Sequence, residues 1–254
     1  MRTPLERQAV PPKRWGALTD YTQKWADDGK WKPEMHILHY GGGPNPGGQA
    51  PYSQESEMAV LRSWDRFHVR TRNWRAIAYN RAVGQTGTLY VARGDHRNGG
   101  QYPPWNDISL ATVFILGGDQ TPTLEARRTF GRLWLEQPYT GKVLPHRACG
   151  QTFCPGDWIS LWIDREGWID DLGVWSFGDQ DPVVTSIKAR LHRLGYRLAP
   201  GYGPRFNRAL RRQITRFQKR QGIRVDGVVG PQTLRALGGL LGEVYPDVHD
   251  DPTG

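Results

Sequence analysis

The sequence predicts a mixed α/β domain, a central sheet flanked by helices, followed by a small unit of three helices. Three observations lead there. Up to about residue 165, short β-type runs alternate with runs of helical period. One of them, DISLATVFILGG (107–118), is mostly apolar and ends in glycines, as a buried central strand does. From Asp181 onward the apolar period is helical only.

The elements follow in order. Residues 1–34 read as an irregular arm, punctuated by Pro11, Pro12, Gly29 and Pro33, with Trp15, Trp25 and Trp31 to hold it to the body. MHILHY (35–40) is a strand that runs into GGGPNPGG. SQESEMAVLRSWDRFHVR (53–70) is a helix with Ser53 as N-cap and Met58, Leu61, Trp64 and Phe67 at three-residue steps. AIAYNRAV (76–83) and TLYVAR (88–93) are strands, and GQTG between them is a hairpin signal. TPTLEARRTFGRLWLEQP (121–138) is a helix that opens at Thr-Pro and stops before Pro138. EGWIDDLGVWSFGDQD (166–181) breaks the period and reads as a linker, packed down by Trp168 and Trp175.

Asp181-Pro182 then caps a helix that runs to Leu194, where Gly195 stops it. A second helix is expected over Pro204–Gln221, with Phe206, Leu210, Ile214 and Phe217 as its apolar stripe and Gly222 beyond its end. A short third helix follows Pro231. The pattern G-P-x-x-x-R-A-L occurs twice, in GPRFNRAL (203–210) and GPQTLRAL (230–237), and predicts an internally symmetric unit. The expected organisation is an arm (1–34), an α/β domain (35–165), a linker (166–181), a helical domain (182–240) and an acidic tail (241–254).

The charge is uneven. Residues 182–240 hold thirteen Lys and Arg against one acid, Asp226, so this part carries +12 of a net +9 and the remainder carries −3. Such asymmetry points to a polyanionic partner, either nucleic acid or the anionic polymers of a bacterial wall. No run approaches the ~20 apolar residues of a membrane span. The opening MRTPLERQAVPPKRWGALTD has no apolar core, so the expectation is a product made in the cytoplasm without a signal peptide.

LPHRACGQTFCPGDW (144–158) holds both cysteines of the chain and one of its seven histidines. Cys149 and Cys154 admit a disulfide, a thiol nucleophile, or part of a metal site. His146 and Cys154 lie eight apart, too far for one helix face but suited to the two sides of a loop. A third ligand must come from elsewhere. His36 and His39 share a strand and point to opposite faces. His39 stands at its C-terminal end beside a glycine-rich loop, where α/β proteins collect functional groups, and is the choice. The competing reading of His39 is a packed histidine.

HILHYGG, WRAIAYNRAV, the hairpin GQTGTLYVARG, NDISLATVFILGG and the H-x7-C-P-G of HRACGQTFCPGDW occur here in an order that resembles the zinc-dependent N-acetylmuramoyl-L-alanine amidases. That family includes the amidase-type phage lysozymes and the peptidoglycan recognition proteins, and the resemblance covers about residues 35–160. It implies Zn2+ held by His39, His146 and Cys154, with the fourth position left for water. It also implies a catalytic Tyr79 beside that water. Thr152 falls where many phage amidases carry a catalytic lysine. Active recognition proteins have threonine there, so Thr152 is taken as catalytic, with poorer oxyanion stabilisation expected from a neutral hydroxyl. Cys149 matches no ligand position and reads as a buried thiol. Trp105 and Asn106, in the loop QYPPWND, are the candidates for substrate binding.

The C-terminal part has its own resemblance. VVTSIKARLHRLGY and RALRRQITRFQKRQGIRVDGVVGPQTLRAL are similar to the three-helix peptidoglycan-binding domain appended to wall hydrolases, over residues 182–238. Together the two resemblances imply a monomeric peptidoglycan hydrolase of the phage endolysin type. It would cut the amide between N-acetylmuramic acid and L-alanine at the bacterial wall, after release by a holin, and would have no membrane partner. Two rivals stand beside it. One is a recognition protein that binds without cutting, which Thr152 keeps open. The other is a nucleic-acid-binding protein with residues 204–221 as recognition helix, which leaves His39, His146 and Cys154 idle.

Overall fold

The computed structural model describes residues 3–19, 33–42, 52–94, 97–100, 102–103, 105–118, 120–137, 141–198 and 203–239. Trp25, Trp31, His96, His249, most of the GGGPNPGG run and the acidic tail lie outside the described residues. In chain order the elements are α1 (Pro4–Gln8), α2 (Pro12–Trp15), β1 (Met35–Tyr40), α3 (Gln54–Arg66), β2 (Arg81–Val83), β3 (Leu89–Val91), β4 (Ser109–Phe114), α4 (Leu124–Glu136), β5 (Val143–Pro145), α5 (Asp157–Asp164), α6 (Gly167–Leu172), α7 (Pro182–Arg193), α8 (Arg208–Arg220) and α9 (Pro231–Leu237). A π turn, Phe67–Thr71, extends α3, and 3-10 turns occupy Trp105–Asp107 and His146–Ala148. None of the described helices is long and apolar enough to cross a membrane. The chain divides into two compact units, one of residues 8–130 and 142–168, the other of residues 1–7, 131–141 and 169–254.

The first unit is built on a mixed five-stranded sheet of order β3-β2-β4-β1-β5. The apolar run 107–118 supplies β4, the middle strand, as its composition predicts. β1 lies parallel to β4 and β5, β2 parallel to β4, and only β2–β3 is antiparallel. Alternation along the strands splits the core between two faces. On one face Val113, Ile115, Ile77 and Tyr90 pack with Leu61 of α3 and with Trp15. On the other, Phe114, Phe130, Trp162 and Trp168 meet edge to face at 5.8–6.1 Å.

Several local expectations change. The arm is partly helical, because its prolines start helices rather than break them. Pro12 takes the first position of α2, where no N–H is needed. Thr3 and Glu6 cap α1 reciprocally, at 3.0 and 3.2 Å. Trp15 is fully buried and donates its indole N–H to Val91 O at 2.7 Å. Ser53 caps α3 as expected, yet Phe67 is 45 % exposed, because the π turn rotates the end of the stripe outward. Polar groups complete the buried face of α3. Glu57 accepts from Thr86 N (2.7 Å) and Tyr90 OH (2.7 Å), and Asp65 from Leu18 N (2.6 Å). The expected strand 76–83 shrinks to Arg81–Val83, since Arg93 and Gly100 N–H take the carbonyls of Ala76, Ile77 and Ala78. α4 starts at Leu124, two residues beyond the Thr-Pro, with the Thr123 hydroxyl accepting from Ala126 N (3.1 Å).

In the second unit, α7 is capped by the Asp181 carboxylate, which accepts from Val183 N at 2.7 Å. The stripe Phe206, Leu210, Ile214 and Phe217 is fully buried. The segment 166–181, expected as a linker, contains α6, and Trp175 pairs with Val229 in a β-bridge. α8 begins at Arg208 rather than Pro204. Lys188 Nζ takes the carbonyls of Gly203 and Arg205 at 2.7 Å each, and Asn207 caps the helix by accepting from Leu210 N. The two G-P-x-x-x-R-A-L copies therefore differ in structure: Pro231 starts α9, whereas R-A-L starts α8.

Candidate metal centre

β1 and β5 are parallel neighbours, with Leu38 opposite Pro145. One residue further, His39 leaves the C-terminal end of β1 and His146 follows the end of β5. Adjacent strands run ~4.8 Å apart, so the two rings must meet. Their centroids lie 4.3 Å apart. The chain then loops out and returns. Arg147 N–H donates to Cys154 O at 2.8 Å, which closes the loop and brings Cys154 back beside His146. The Thr152 hydroxyl accepts from Cys154 N at 3.2 Å and fixes the turn into the thiol. Gly156, with φ +85° and ψ 168°, occupies backbone space that only glycine enters freely, and lets the chain turn from C-P-G into α5.

His39, His146 and Cys154 each offer one donor atom, all within 4.8 Å of one another. Cys154 Sγ lies 3.8 Å from His39 Nδ1. Two donors on one four-coordinate ion, at ordinary M–N and M–S lengths, stand ~3.6 Å apart. The donor chemistry fits as well. Burial, and after it the nearby His146, holds the His39 pKa well below its ordinary value, so the ring is neutral as a ligand must be. Burial pushes the Cys154 thiol up to about 12, against the Tyr40 N–H (3.4 Å) and Arg147, which favour the thiolate. A bare thiol there stays protonated near neutrality, and a cation at the cluster would ionise it. Both cysteines are free, and Cys149 is a buried thiol pushed up to about 11 by burial alone.

Tyr79 stands against this cluster, its ring centroid 5.2 Å from that of His39. Burial, then the nearby Cys154, raises its pKa, so the phenol keeps its proton and can donate a hydrogen bond. Trp64 and His68 flank the ring at 6.1 and 5.9 Å, and Trp74 stacks on His68 at 5.0 Å. Burial, with Arg93 and Arg72, lowers the His68 pKa to about 4. Among the sequence candidates the structure thus brings together His39, His146, Cys154 and Tyr79, with Thr152 held to Cys154.

Trp105 and Asn106 do not join the cluster itself, although Tyr102 of their loop packs against Gly150, between His146 and Cys154. Their 3-10 turn leads into Ser109, at the N-terminal end of β4, whereas His39 stands opposite Val113 near its C-terminal end. Four strand residues separate the two levels, ~13 Å. Asn106 closes its own loop by accepting from Tyr102 N at 3.0 Å.

Sequence reading passed over three positioning residues. Asn80 is buried and fills the gap before β2: its amide donates to Gly94 O (2.8 Å) and Arg97 O (2.6 Å), and its carbonyl accepts from Ala111 N (2.9 Å). That fixes Tyr79 next to it. Arg93 braces the backbone before Tyr79 through Ala76 O and Ile77 O. Arg147 braces the loop between His146 and Cys154 through Asp157 (2.7 Å) and Phe153 O (3.0 Å). The tight turn of buried polar residues after W-R-A-I-A-Y was the only available signal, and apolar period does not register it.

Comparison with known proteins adds the following. Residues 180–237 match the peptidoglycan binding domain family. Peptidoglycan-recognition protein SC1a of Drosophila melanogaster is 32% identical over 118 residues, which is 43% of this chain and 62% of that protein. The N-acetylmuramoyl-L-alanine amidase of Sus scrofa is 30% identical over 109 residues, 39% of this chain and 18% of that protein. The chain therefore spans less than two thirds of the curated relatives it matches. Among solved structures, Drosophila PGRP-LB has a TM-score of 0.51 at 24% identity, over 61% of this chain and 92% of that one. Peptidoglycan recognition protein-LE, solved in complex with tracheal cytotoxin, a monomeric diaminopimelic acid-type peptidoglycan, has a TM-score of 0.54 at 21% identity, over 63% and 94%. At that identity the likeness establishes the mixed α/β fold.

Proposed function

We propose, from the premise that the chain belongs to the amidase-type peptidoglycan-recognition family, that it is a zinc-dependent hydrolase cutting the amide between N-acetylmuramic acid and L-alanine. The observation that carries this reading is the His39–His146–Cys154 cluster, three suitable donors within 4.8 Å at the C-terminal ends of the parallel strands β1 and β5. Zinc held by His39, His146 and Cys154 would supply Lewis-acid polarisation of the scissile carbonyl and a more acidic water. His39 and His146 serve as neutral imidazoles and Cys154 as thiolate. Tyr79 donates its phenolic proton in a hydrogen bond to the oxygen on which charge develops. Thr152 has its oxygen occupied by Cys154 N–H and keeps a hydroxyl proton to donate, weaker help than a cation would give. Trp64 and His68 pack against the Tyr79 ring, and Trp74 stacks on His68 behind it.

The helical unit supplies the second half of the reading. A module that binds peptidoglycan holds the catalytic unit at an insoluble substrate and raises effective concentration without touching the chemistry. Action at the bacterial wall, in a lytic role of the phage endolysin type, is the setting that uses both parts.

Mass spectrometry of purified sacculi after digestion tests this. The expected products are glycan strands with free lactyl carboxyls and peptides with free L-alanine amino termini. Cleavage at a glycosidic or interpeptide bond overturns the proposal. A non-catalytic recognition protein is the second reading, which the neutral Thr152 beside the cluster keeps open. Zinc-loaded protein that binds sacculi and releases neither product selects it.

A further inference from the structure

The hydrolase reading gives the arginines of the helical unit no task. Arg208, Arg211 and Arg212, on the first turns of α8, line a cavity of about 630 Å³ with Thr215 and Phe177. All three arginines are exposed, and the described residues provide no ion-pair partner for any of them. The i, i+3, i+4, i+7 spacing sets Arg208, Arg211, Arg212 and Thr215 along one helix face, over ~10 Å of the axis. Like charges at such spacing repel and weaken the helix. Asp226, the sole acid of residues 182–240, is committed to Gln218, Val228 N–H and Arg224.

The row is also built rather than loose. A Cβ on Gly227 would lie 3.0 Å from Arg211 Cγ and 3.1 Å from its Nε, so the Arg211 stem packs directly on glycine backbone. Thr215 Oγ1 donates to Arg211 O at 3.0 Å. Phe177, 49% exposed, gives the cavity one apolar surface. Neutral glycan is recognised by amide and carboxylate groups that accept from sugar hydroxyls. This cavity presents guanidinium donors, whose planar forks match phosphate oxygens. Three such forks in a row suit a repeating anion better than one isolated charge.

We propose that this cavity binds a linear phosphodiester polymer of the polyol-phosphate kind, with successive phosphates on Arg208, Arg211 and Arg212 and carbon chain against Phe177. The proposal rests on the wall-hydrolase reading only for where such a polymer is met. Binding requires no cleavage, so failure of one leaves the other standing.

The test is titration of the full chain with fluorescent poly(glycerol phosphate) at several salt concentrations. Three contacts at ~0.7 counterions each predict a log–log salt slope of about −2. Arg208→Gln/Arg211→Gln/Arg212→Gln should weaken binding at least about tenfold at low salt and flatten the slope. The charge-matched Arg193→Gln/Lys219→Gln/Arg220→Gln, all exposed and outside the cavity, should stay within about threefold of the parent. Phe177→Ala should weaken binding about threefold with the slope unchanged. Equal losses in the two triple variants mean bulk charge and overturn the proposal. Tighter binding of duplex DNA than of the polymer, lost through the same three arginines, makes this a nucleic-acid site and overturns it too.

Discussion

Replacing His36 with leucine should remove about 2 kcal/mol of the chain's acid sensitivity between pH 7 and pH 5. His36 and His39 stand on one strand and face opposite ways. His36 is fully buried, with Phe130 edge-on at 5.9 Å. Burial, then Arg81, lowers its pKa from 6.5 to about 3. The native state therefore keeps His36 neutral at pH values where the unfolded chain protonates it. A depressed folded pKa means stability that is full above pH ~6.5, falls by ~1.4 kcal/mol per unit below it, and levels off near pH 3. Between pH 7 and pH 5 the loss from this residue is about 2 kcal/mol. Leucine has similar volume and does not titrate. Urea unfolding at both pH values, followed by tryptophan fluorescence at equal metal content, should give a pH difference about 2 kcal/mol smaller in His36→Leu than in the parent. An identical pH difference in the two proteins refutes the assignment of His36 as a neutral core residue.

Four other outcomes are expected. Tyr79→Phe should slow hydrolysis by about 10²- to 10³-fold with zinc content unchanged, measured by turnover on a soluble muropeptide. Arg147→Ala frees the loop between His146 and Cys154 and should weaken zinc binding at least about tenfold in a competition with a chromogenic chelator. Removing the metal with a chelator should abolish hydrolysis and leave sacculus binding by the helical unit intact in pull-down. Gln218 is buried and joins Asp226, Gly227, Val228 and Thr233 through hydrogen bonds of 2.8–3.2 Å, so Gln218→Ala should cost about 3 kcal/mol and lower the melting temperature by several degrees.

In the Gln218 network one glutamine organises the V-D-G-V turn (Val225–Val228) of the helical unit. Deleting residues 182–254 would do more than remove the helical unit. Ser186 Oγ donates to Glu136 Oε1 and Arg190 to Gln137 O (3.2 Å), so the cut would strip partners from the end of α4.

The three donors of the cluster were legible because their signals are local: a histidine at the end of an apolar strand, and a histidine and cysteine bracketing a loop that ends in C-P-G. The groups that hold them were not. The loop is closed by a backbone bond, Arg147 N–H to Cys154 O, which any residue could make. Asn80 and Arg93 satisfy irregular backbone before β2, so the segment read as one long strand. Hydrophobic period counts apolar residues, and α3 buries Glu57 and Asp65 as firmly as Leu61. Prolines misled twice, as breaks in the arm where Pro12 starts a helix, and as a start at Pro204 where Lys188 holds the chain out of helix.

Zinc-edge X-ray absorption of the purified chain tests the central claim most directly. Two nitrogen scatterers at ~2.0 Å and one sulfur at ~2.3 Å are expected, with the sulfur shell lost in Cys154→Ser and retained in Cys149→Ser. A shell without sulfur in the parent protein, or one that disappears with Cys149 instead, contradicts the site on which the account stands.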